Sequence, residues 1–248
     1  SDVCSSDLGT ISIGGATFTV TQDGAAAATS FTRLPDNIID SAFSRPQNRL
    51  IFVTAAPDEL HVFNPETRTE RITPLNHPPL ALSVRPDGLF AAVGHDGWVS
   101  YVDLTTGAVV RMFKVYTDVN RLALAANGYS YLFPKRDWSD IYSLNLANGE
   151  INAFSAIYDG RRPRLYADGA SLYVGGESWF SKWNITNGTM AQVNAPSIAA
   201  CGDIWLTPDG LRLFTTCARV YRTSPVPTLD LEYAGQIGDL SLLVSVDQ

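Results

Sequence analysis

Histidine and cysteine, the usual ligands of zinc, are scarce in this chain of 248 residues, with three of each. Its three histidines, His61, His77 and His95, occur in different parts of the sequence, and none has a second histidine or a cysteine nearby at ligand spacing. The Asp-Gly pairs lack the Asp-x-Asp-x-Asp-Gly series and the distal glutamate of a calcium-binding loop. A cofactor motif and a catalytic constellation are also absent. The sequence therefore predicts no metal site, no cofactor and no catalytic residue.

Clustered positive charge and long apolar runs are absent too. The chain has 18 lysines and arginines against 25 aspartates and glutamates, which gives a net charge of −7. Proteins that grip a phosphate backbone carry a basic patch or stripe, and no basic run of that kind occurs here. No stretch approaches the roughly 18 apolar residues that a membrane span needs. We therefore expect no nucleic-acid partner and no membrane span in this sequence.

What the chain does contain is a turn that recurs along most of its length. The turn occurs at residues 45–48 (Arg-Pro-Gln-Asn), 85–88 (Arg-Pro-Asp-Gly), 125–128 (Ala-Ala-Asn-Gly), 166–169 (Tyr-Ala-Asp-Gly) and 207–210 (Thr-Pro-Asp-Gly). Successive turns are 40, 40, 41 and 41 residues apart. A fixed period of this length is typical of propellers and solenoids.

Each repeat has the composition of four short β-strands, and the second repeat shows this most clearly. Leu80–Val84 and Leu89–Val93 flank the turn, Trp98–Asp103 follows the loop Gly94–Gly97, and Val109–Val115 completes the unit. Runs of β-branched, aromatic and aliphatic residues separated by turn residues predict an antiparallel sheet. Each repeat is therefore predicted to form one four-stranded antiparallel sheet.

A single sheet cannot bury both of its faces, so neighbouring sheets must stack around an axis as the blades of a β-propeller. The sequence thus predicts an all-β fold, a propeller with five blades at residues 39–75, 76–115, 116–157, 158–197 and 198–237. Ser241–Val246 has the pattern of one more innermost strand. We therefore expect the propeller, at residues 39–248 in this sequence, to continue to six or seven blades.

These repeats resemble those of bacterial propellers that carry YVTN-type and tryptophan-aspartate-type (WD40) repeats. The resemblance rests on the Asp-Gly turns and on a second recurring turn between the third and fourth strands, as at residues 105–107 and 147–149. It implies an architecture and no particular activity.

The N-terminal region has three parts. Residues 1–8 (Ser-Asp-Val-Cys-Ser-Ser-Asp-Leu) resemble a translated sequencing adapter, the alternative being an ordinary polar terminus. Residues 9–22 alternate apolar and polar side chains on both sides of a Gly-Gly turn, which predicts a hairpin. This segment resembles the last hairpin of the bacterial immunoglobulin-like module called BACON. Residues 23–38 are interpreted as a linker, with a short alanine-rich helix as the alternative.

Two cysteines flank the first hairpin of the fifth repeat. Residues opposite each other in a hairpin have a constant sum, which is 417 if Leu206 faces Leu211 and 418 for Cys201 with Cys217. The two sulfurs are therefore predicted to lie on neighbouring strands, within disulfide distance. Two buried free thiols are the alternative. A disulfide would favour an oxidising compartment, and hence an extracellular, cell-surface or periplasmic location.

Ligands of propellers generally bind where the loops between second and third strands meet the connections between blades. The residues predicted to share that rim are Asp58, His95, Asp96, Lys135, Arg136, Asp137, Trp138, Arg161, Arg162, Glu177 and Trp179. Exposed aromatic and arginine side chains are typical of recognition surfaces. The alternative is structural: tryptophans packed between blades and charges that are merely solvated.

Two functions are compatible with these features. The first is a non-catalytic, extracytoplasmic binding propeller for a protein or carbohydrate ligand, consistent with the adhesion role that the BACON resemblance implies. The second is a propeller enzyme similar to lactonases, lyases or quinoprotein dehydrogenases, with its site at the channel mouth. An enzyme of that kind would place several inward carboxylate, histidine or asparagine side chains there, and this sequence offers few histidines.

Overall fold

A computed structural model describes residues 7–13, 16–22, 32–136, 139–154, 162–176, 180–195 and 201–238. The chain divides into two compact units, Ser1–Leu34 and Pro35–Gln248. In the first unit, strands β1 (Asp7–Ile13) and β2 (Ala16–Gln22) pair antiparallel, with Gly9 opposite Val20. The further strand predicted at Ser241–Val246 lies outside the described residues.

The second unit contains five four-stranded antiparallel sheets, and in each sheet the strands follow one another in chain order. Blade 1 has β3 (Ile38–Ser44), β4 (Arg49–Thr54), β5 (Glu59–Phe63) and β6 (Glu70–Pro74); blade 2 has β7 (Ala81–Val84), β8 (Phe90–Gly94), β9 (Asp96–Asp103) and β10 (Ala108–Asp118); blade 3 has β11 (Arg121–Leu124), β12 (Tyr129–Phe133), β13 (Ile141–Asn145) and β14 (Ile151–Phe154); blade 4 has β15 (Arg162–Leu165), β16 (Ser171–Gly175), β17 (Phe180–Asn184) and β18 (Ala191–Asn194); blade 5 has β19 (Ile204–Leu206), β20 (Arg212–Thr215), β21 (Arg219–Arg222) and β22 (Tyr233–Gln236). The predicted all-β propeller with five four-stranded blades is confirmed.

The recurring turn forms the hairpin between the first and second strand of a blade. In blade 2, Gly88 has a φ of +74° and its amide donates to the carbonyl of Arg85 over 2.8 Å. The Asp87 carboxylate accepts from the amide of Leu89 over 3.0 Å. Glycine adopts positive φ without a steric penalty, and aspartate stabilises a turn by bonding a backbone amide two residues on. These two requirements explain why Asp-Gly recurs at this position.

Among the described residues, the blades pack face to face through four apolar clusters, one between each consecutive pair. Between blades 1 and 2, for example, Ile51 and Leu60 are buried together with Val93 and Val102. The innermost strands β3, β7, β11, β15 and β19 are consecutive neighbours. Side chains satisfy some of their free edge amides: Asp40 accepts from the amide of Leu82 over 2.8 Å, and Ser83 accepts from that of Leu124 over 3.0 Å.

Blade 2 differs from the predicted limits at one end of the disc. Strand β9 begins at Asp96, but Gly94 lies opposite Val99 and the amide of His95 donates to the carbonyl of Trp98 over 2.9 Å. Residues 95–98 therefore form the turn between β8 and β9, one residue along from the predicted loop Gly94–Gly97. Strand β10 extends to Asp118 rather than ending at Val115, because Asp118 pairs with Asp96 after a bulge. No helix in the described part of the chain has the length and hydrophobicity needed to span a bilayer.

Candidate functional site

A cleft lies between the loops of blades 2 and 3, at the end of the disc where second strands lead into third strands. Its volume is about 750 Å³. The lining is mostly polar and includes both signs of charge. The lining residues are Asp96, Tyr116, Thr117, Asp118, Lys135, Arg136, Ser139, Asp140 and Tyr142.

The extended end of β10 supplies one wall of this cleft. Phe113 and Val115 are buried in the core between blades 2 and 3. Because successive side chains of a strand point to opposite sides, Lys114 and Tyr116 face outwards. The side chain of Tyr116 is consequently 90% exposed at the rim. The ring of Tyr116 is therefore accessible to a ligand.

Asp118 connects the two walls. Its Oδ2 accepts from the backbone amide of Lys135 over 3.2 Å, and its Oδ1 accepts from the hydroxyl of Thr117 over 3.3 Å. The hydroxyl of Ser139 donates to the carbonyl of Arg136 over 2.7 Å, within the loop of blade 3. The side chains of Lys135 and Arg136 remain exposed. The arrangement therefore fixes the backbone and leaves two cations available to a ligand.

The structure brings three of the predicted rim residues together, namely Asp96, Lys135 and Arg136. Asp137, Trp138, Arg161, Glu177 and Trp179 lie outside the described residues. Arg162 is placed elsewhere, at the start of β15, where its Nη1 donates to Oδ2 of Asp203 over 3.1 Å.

His95 is not part of the exposed rim that the sequence predicted. Its side chain has no exposed surface, and burial lowers the pKa of its imidazole. Nδ1 is 3.0 Å from the carbonyl of Pro78, and Nε2 is 2.9 Å from the hydroxyl of Ser100. At the first position of the turn between β8 and β9, this side chain is directed inwards and both ring nitrogens have partners.

The remaining lining residues were missed by the sequence analysis. They are Tyr116, Thr117, Asp118, Ser139, Asp140 and Tyr142. A signal was present for the first of them: the alternation of Phe113, Lys114, Val115 and Tyr116 continues the strand beyond its predicted end. In the described parts of the chain, no group of three or more His, Cys, Asp or Glu side chains is arranged to hold a metal ion.

A disulfide joins Cys201 to Cys217 at the same end of the disc, with 5.7 Å between the Cα atoms. Cys201 lies just before β19, and Cys217 lies in the turn after β20. The observed pairs of this hairpin, such as Ile204 with Thr215, have a sum of 419, one more than the 418 of the cysteines. The predicted pairing is confirmed.

Asp40 on β3 is a half-buried carboxylate near the propeller axis. Burial raises its pKa above the ordinary value of 3.8, although hydrogen bonds from the amides of Leu82 and Ser41 oppose this shift. A raised pKa means that ionisation costs more in the folded chain than in the unfolded chain. This cost is absent at pH values below 3.8 and develops as the pH rises towards the raised pKa.

We expect Asp40→Asn to become more stable relative to the wild type as the pH rises from below 3.8 to neutrality, because asparagine cannot ionise. Urea unfolding at several pH values measures the difference. The control is Asp96→Asn, at an exposed position. A difference between Asp40→Asn and the wild type that does not vary with pH would contradict the expectation.

The fold defines this chain as a β-propeller of four-stranded blades. No family model matches the chain, and no curated protein matches it in sequence. Among solved structures it is similar to the β-propeller domain of Cps50 (Swd1) from Myceliophteria thermophila, with 14% identity, a TM-score of 0.64, and coverage of 85% of this chain and 74% of that one. It is also similar to Kuenenia stuttgartiensis hydrazine synthase, with 18% identity, a TM-score of 0.58, and coverage of 82% and 61% respectively. At these identities both likenesses show the fold alone.

Proposed function

We propose that this chain is a non-catalytic binding propeller that takes a short oligosaccharide in the cleft between blades 2 and 3. The observation that carries the proposal is the exposed ring of Tyr116 beside a polar lining. A sugar has an apolar face that stacks on an aromatic ring and a set of hydroxyl groups that need donors and acceptors. The aspartates of the cleft are acceptors, and Lys135 and Arg136 are donors.

The size of the cleft favours a small ligand over a protein. Small-molecule sites have volumes of roughly 300–1,000 Å³, and this cleft has about 750 Å³. A stable protein partner contacts about 20–30 residues on each side, whereas nine described residues line this cleft. We therefore favour a carbohydrate over a protein as the ligand.

We further propose an extracellular, cell-surface or periplasmic location. The disulfide between Cys201 and Cys217 supports it, because such bonds persist in oxidising compartments and are rare in the cytosol. Carbohydrates on cell surfaces and in the extracellular matrix are available to a protein in these locations.

Replacing Tyr116 with alanine is expected to weaken oligosaccharide binding by about tenfold to thirtyfold, because an aromatic ring on which the ligand stacks contributes about that much to affinity. A glycan array identifies the ligand, and isothermal titration calorimetry measures the affinity. The matched control is Tyr233→Ala, another exposed tyrosine on an outermost strand but in blade 5. Equal affinities for the wild type and Tyr116→Ala, or equal losses in both variants, would refute the proposed site.

A further inference from the structure

Three arginines lie along the innermost strands of blades 3 and 4, near the propeller axis. Arg121 is the first residue of β11, and Arg162 is the first residue of β15. Arg164 is two residues further along β15, on the same side of the strand as Arg162. The side chains of Arg162 and Arg164 are 38% and 36% exposed, so both reach solvent.

The two arginines of blade 4 share one carboxylate on blade 5. Arg162 Nη1 is 3.1 Å from Oδ2 of Asp203, and Arg164 Nη2 is 2.9 Å from Oδ1. Arg164 also donates from Nε to the carbonyl of Ile204 over 3.0 Å, so its fork is largely used within the protein. Arg162 has one described hydrogen bond for its five N–H donors. Two positive charges are thus balanced by one negative charge.

Arg121 supplies a third positive charge at the start of the neighbouring innermost strand. Ala123, two residues further along β11, packs in the core between blades 3 and 4. Arg121 therefore lies, like Ala123, on the side of β11 that faces blade 4. The neighbouring innermost strand on that side is β15. Its described hydrogen bond is from Nη1 to the carbonyl of the adjacent Asn120, over 2.7 Å. This bond holds the guanidinium without neutralising it.

Asp40 is a second carboxylate, in range of two of these arginines. The charges of Arg121 and Arg164 both act on it, which indicates that side chains from blades 1, 3 and 4 converge near the axis. Asp40 already accepts hydrogen bonds from the amides of Leu82 and Ser41. Among the described residues of this cluster, three guanidinium groups thus accompany two carboxylates, those of Asp40 and Asp203. The cluster keeps an excess of positive charge in a chain whose net charge is −7.

We propose that this end of the channel, between Arg121 and Arg162, binds a small multivalent oxyanion. Guanidinium groups form paired hydrogen bonds with phosphate and carboxylate oxygens, and these bonds are stronger where water is partly excluded. Both phosphate esters and dicarboxylates have this chemistry. The site shares no lining residue with the cleft between blades 2 and 3 and does not depend on oligosaccharide binding.

The test is calorimetric titration of the whole chain with inorganic pyrophosphate and, separately, with citrate, against sodium chloride of equal ionic strength. Saturable binding of either anion is expected, and the tighter one distinguishes a phosphate ligand from a carboxylate ligand. The double variant Arg121→Gln/Arg162→Gln should bind the anion about tenfold to a hundredfold more weakly. Arg162→Lys should lose part of the affinity, because lysine keeps the charge but not the planar fork.

The matched control is Arg45→Gln, an exposed arginine in the hairpin turn at the opposite end of the innermost strand. It lowers the net charge as Arg121→Gln does, and its affinity should be unchanged. If the double variant is unfolded by circular dichroism, Arg121→Gln alone serves, since its described bond goes only to a neighbouring carbonyl. Absence of saturation with both anions, undiminished binding in the arginine variants, or an equal loss in Arg45→Gln would overturn the proposal.

Discussion

Asp230→Ala is expected to destabilise the propeller by about 3–5 kcal/mol, the range for removing one partner of a buried ion pair. The Asp230 side chain is 1% exposed and lies 3.9 Å from Nζ of Lys182, whose side chain is 7% exposed. Asp230 also accepts from the hydroxyl of Tyr173 over 2.6 Å and from the amide of Ser224 over 2.9 Å. The alanine variant leaves a buried cation without its counter-charge and two donors without an acceptor.

The surroundings of Lys182 do not compensate for this loss. Its Nζ donates to the carbonyl of Ser224 over 2.7 Å and lies 4.5 Å from the ring centre of Tyr166. Those contacts orient the ammonium group, but a carbonyl and an aromatic ring neutralise a buried charge less well than a carboxylate does. The stability of the contact between blades 4 and 5 therefore depends on the pair as a unit.

Urea unfolding of a small set of variants tests this reasoning. Asp230→Asn should cost less than Asp230→Ala, because an amide oxygen still accepts one of the hydrogen bonds. In the double variant Asp230→Ala/Lys182→Met the unpaired cation is gone, so part of the lost stability should return. Asp96→Ala, at an exposed position, is the control and should change stability by less than about 0.5 kcal/mol. A cost below about 1 kcal/mol for Asp230→Ala, or strict additivity in the double variant, would contradict the expected coupling.

The contact between Lys182 and Asp230 could not be predicted from the sequence. Lys182 and Asp230 are 48 residues apart, on a strand of blade 4 and beyond a strand of blade 5. Their contact depends on how two sheets stack, and no local pattern encodes that geometry. The five blades could be predicted because each depends on a turn whose Asp and Gly have local physical roles.

The candidate site was predictable only in part, for the same reason. Lys135 and Arg136 were found because a charged loop between two strands is visible in one segment of sequence. Tyr116 and Asp118 were missed because the predicted blade ended at Val115, whereas the pairing of Asp118 with Asp96 prolongs the strand. His95 was predicted at the rim because its place in a turn does not reveal that its ring is directed inwards, to Pro78 and Ser100. Register between strands decides these positions, and a short error in register moves a side chain to the other face.

Removing the disulfide is expected to cost about 3 kcal/mol of stability. The bond closes a segment with a sequence separation of 16 between Cys201 and Cys217, and closing a loop of about 15 residues restricts the unfolded chain by about that amount. For a domain of this size the melting temperature should fall by roughly 6–12 °C. The measurement is thermal unfolding of the wild type and of Cys201→Ala/Cys217→Ala, each with and without dithiothreitol.

The four melting curves separate the stability that the disulfide contributes from the effect of replacing the two cysteine side chains. The reductant should destabilise the wild type and leave the double variant unchanged, because the variant has no bond in the fifth blade to reduce. Thiol titration of the unfolded wild type should yield two fewer thiols before reduction than after it. If the two titrations agree in protein purified from an oxidising compartment, the disulfide does not form and the proposed extracytoplasmic location loses its support. If they differ by two, the disulfide forms where disulfides are maintained. Closure of its loop then accounts for the expected stabilisation of about 3 kcal/mol.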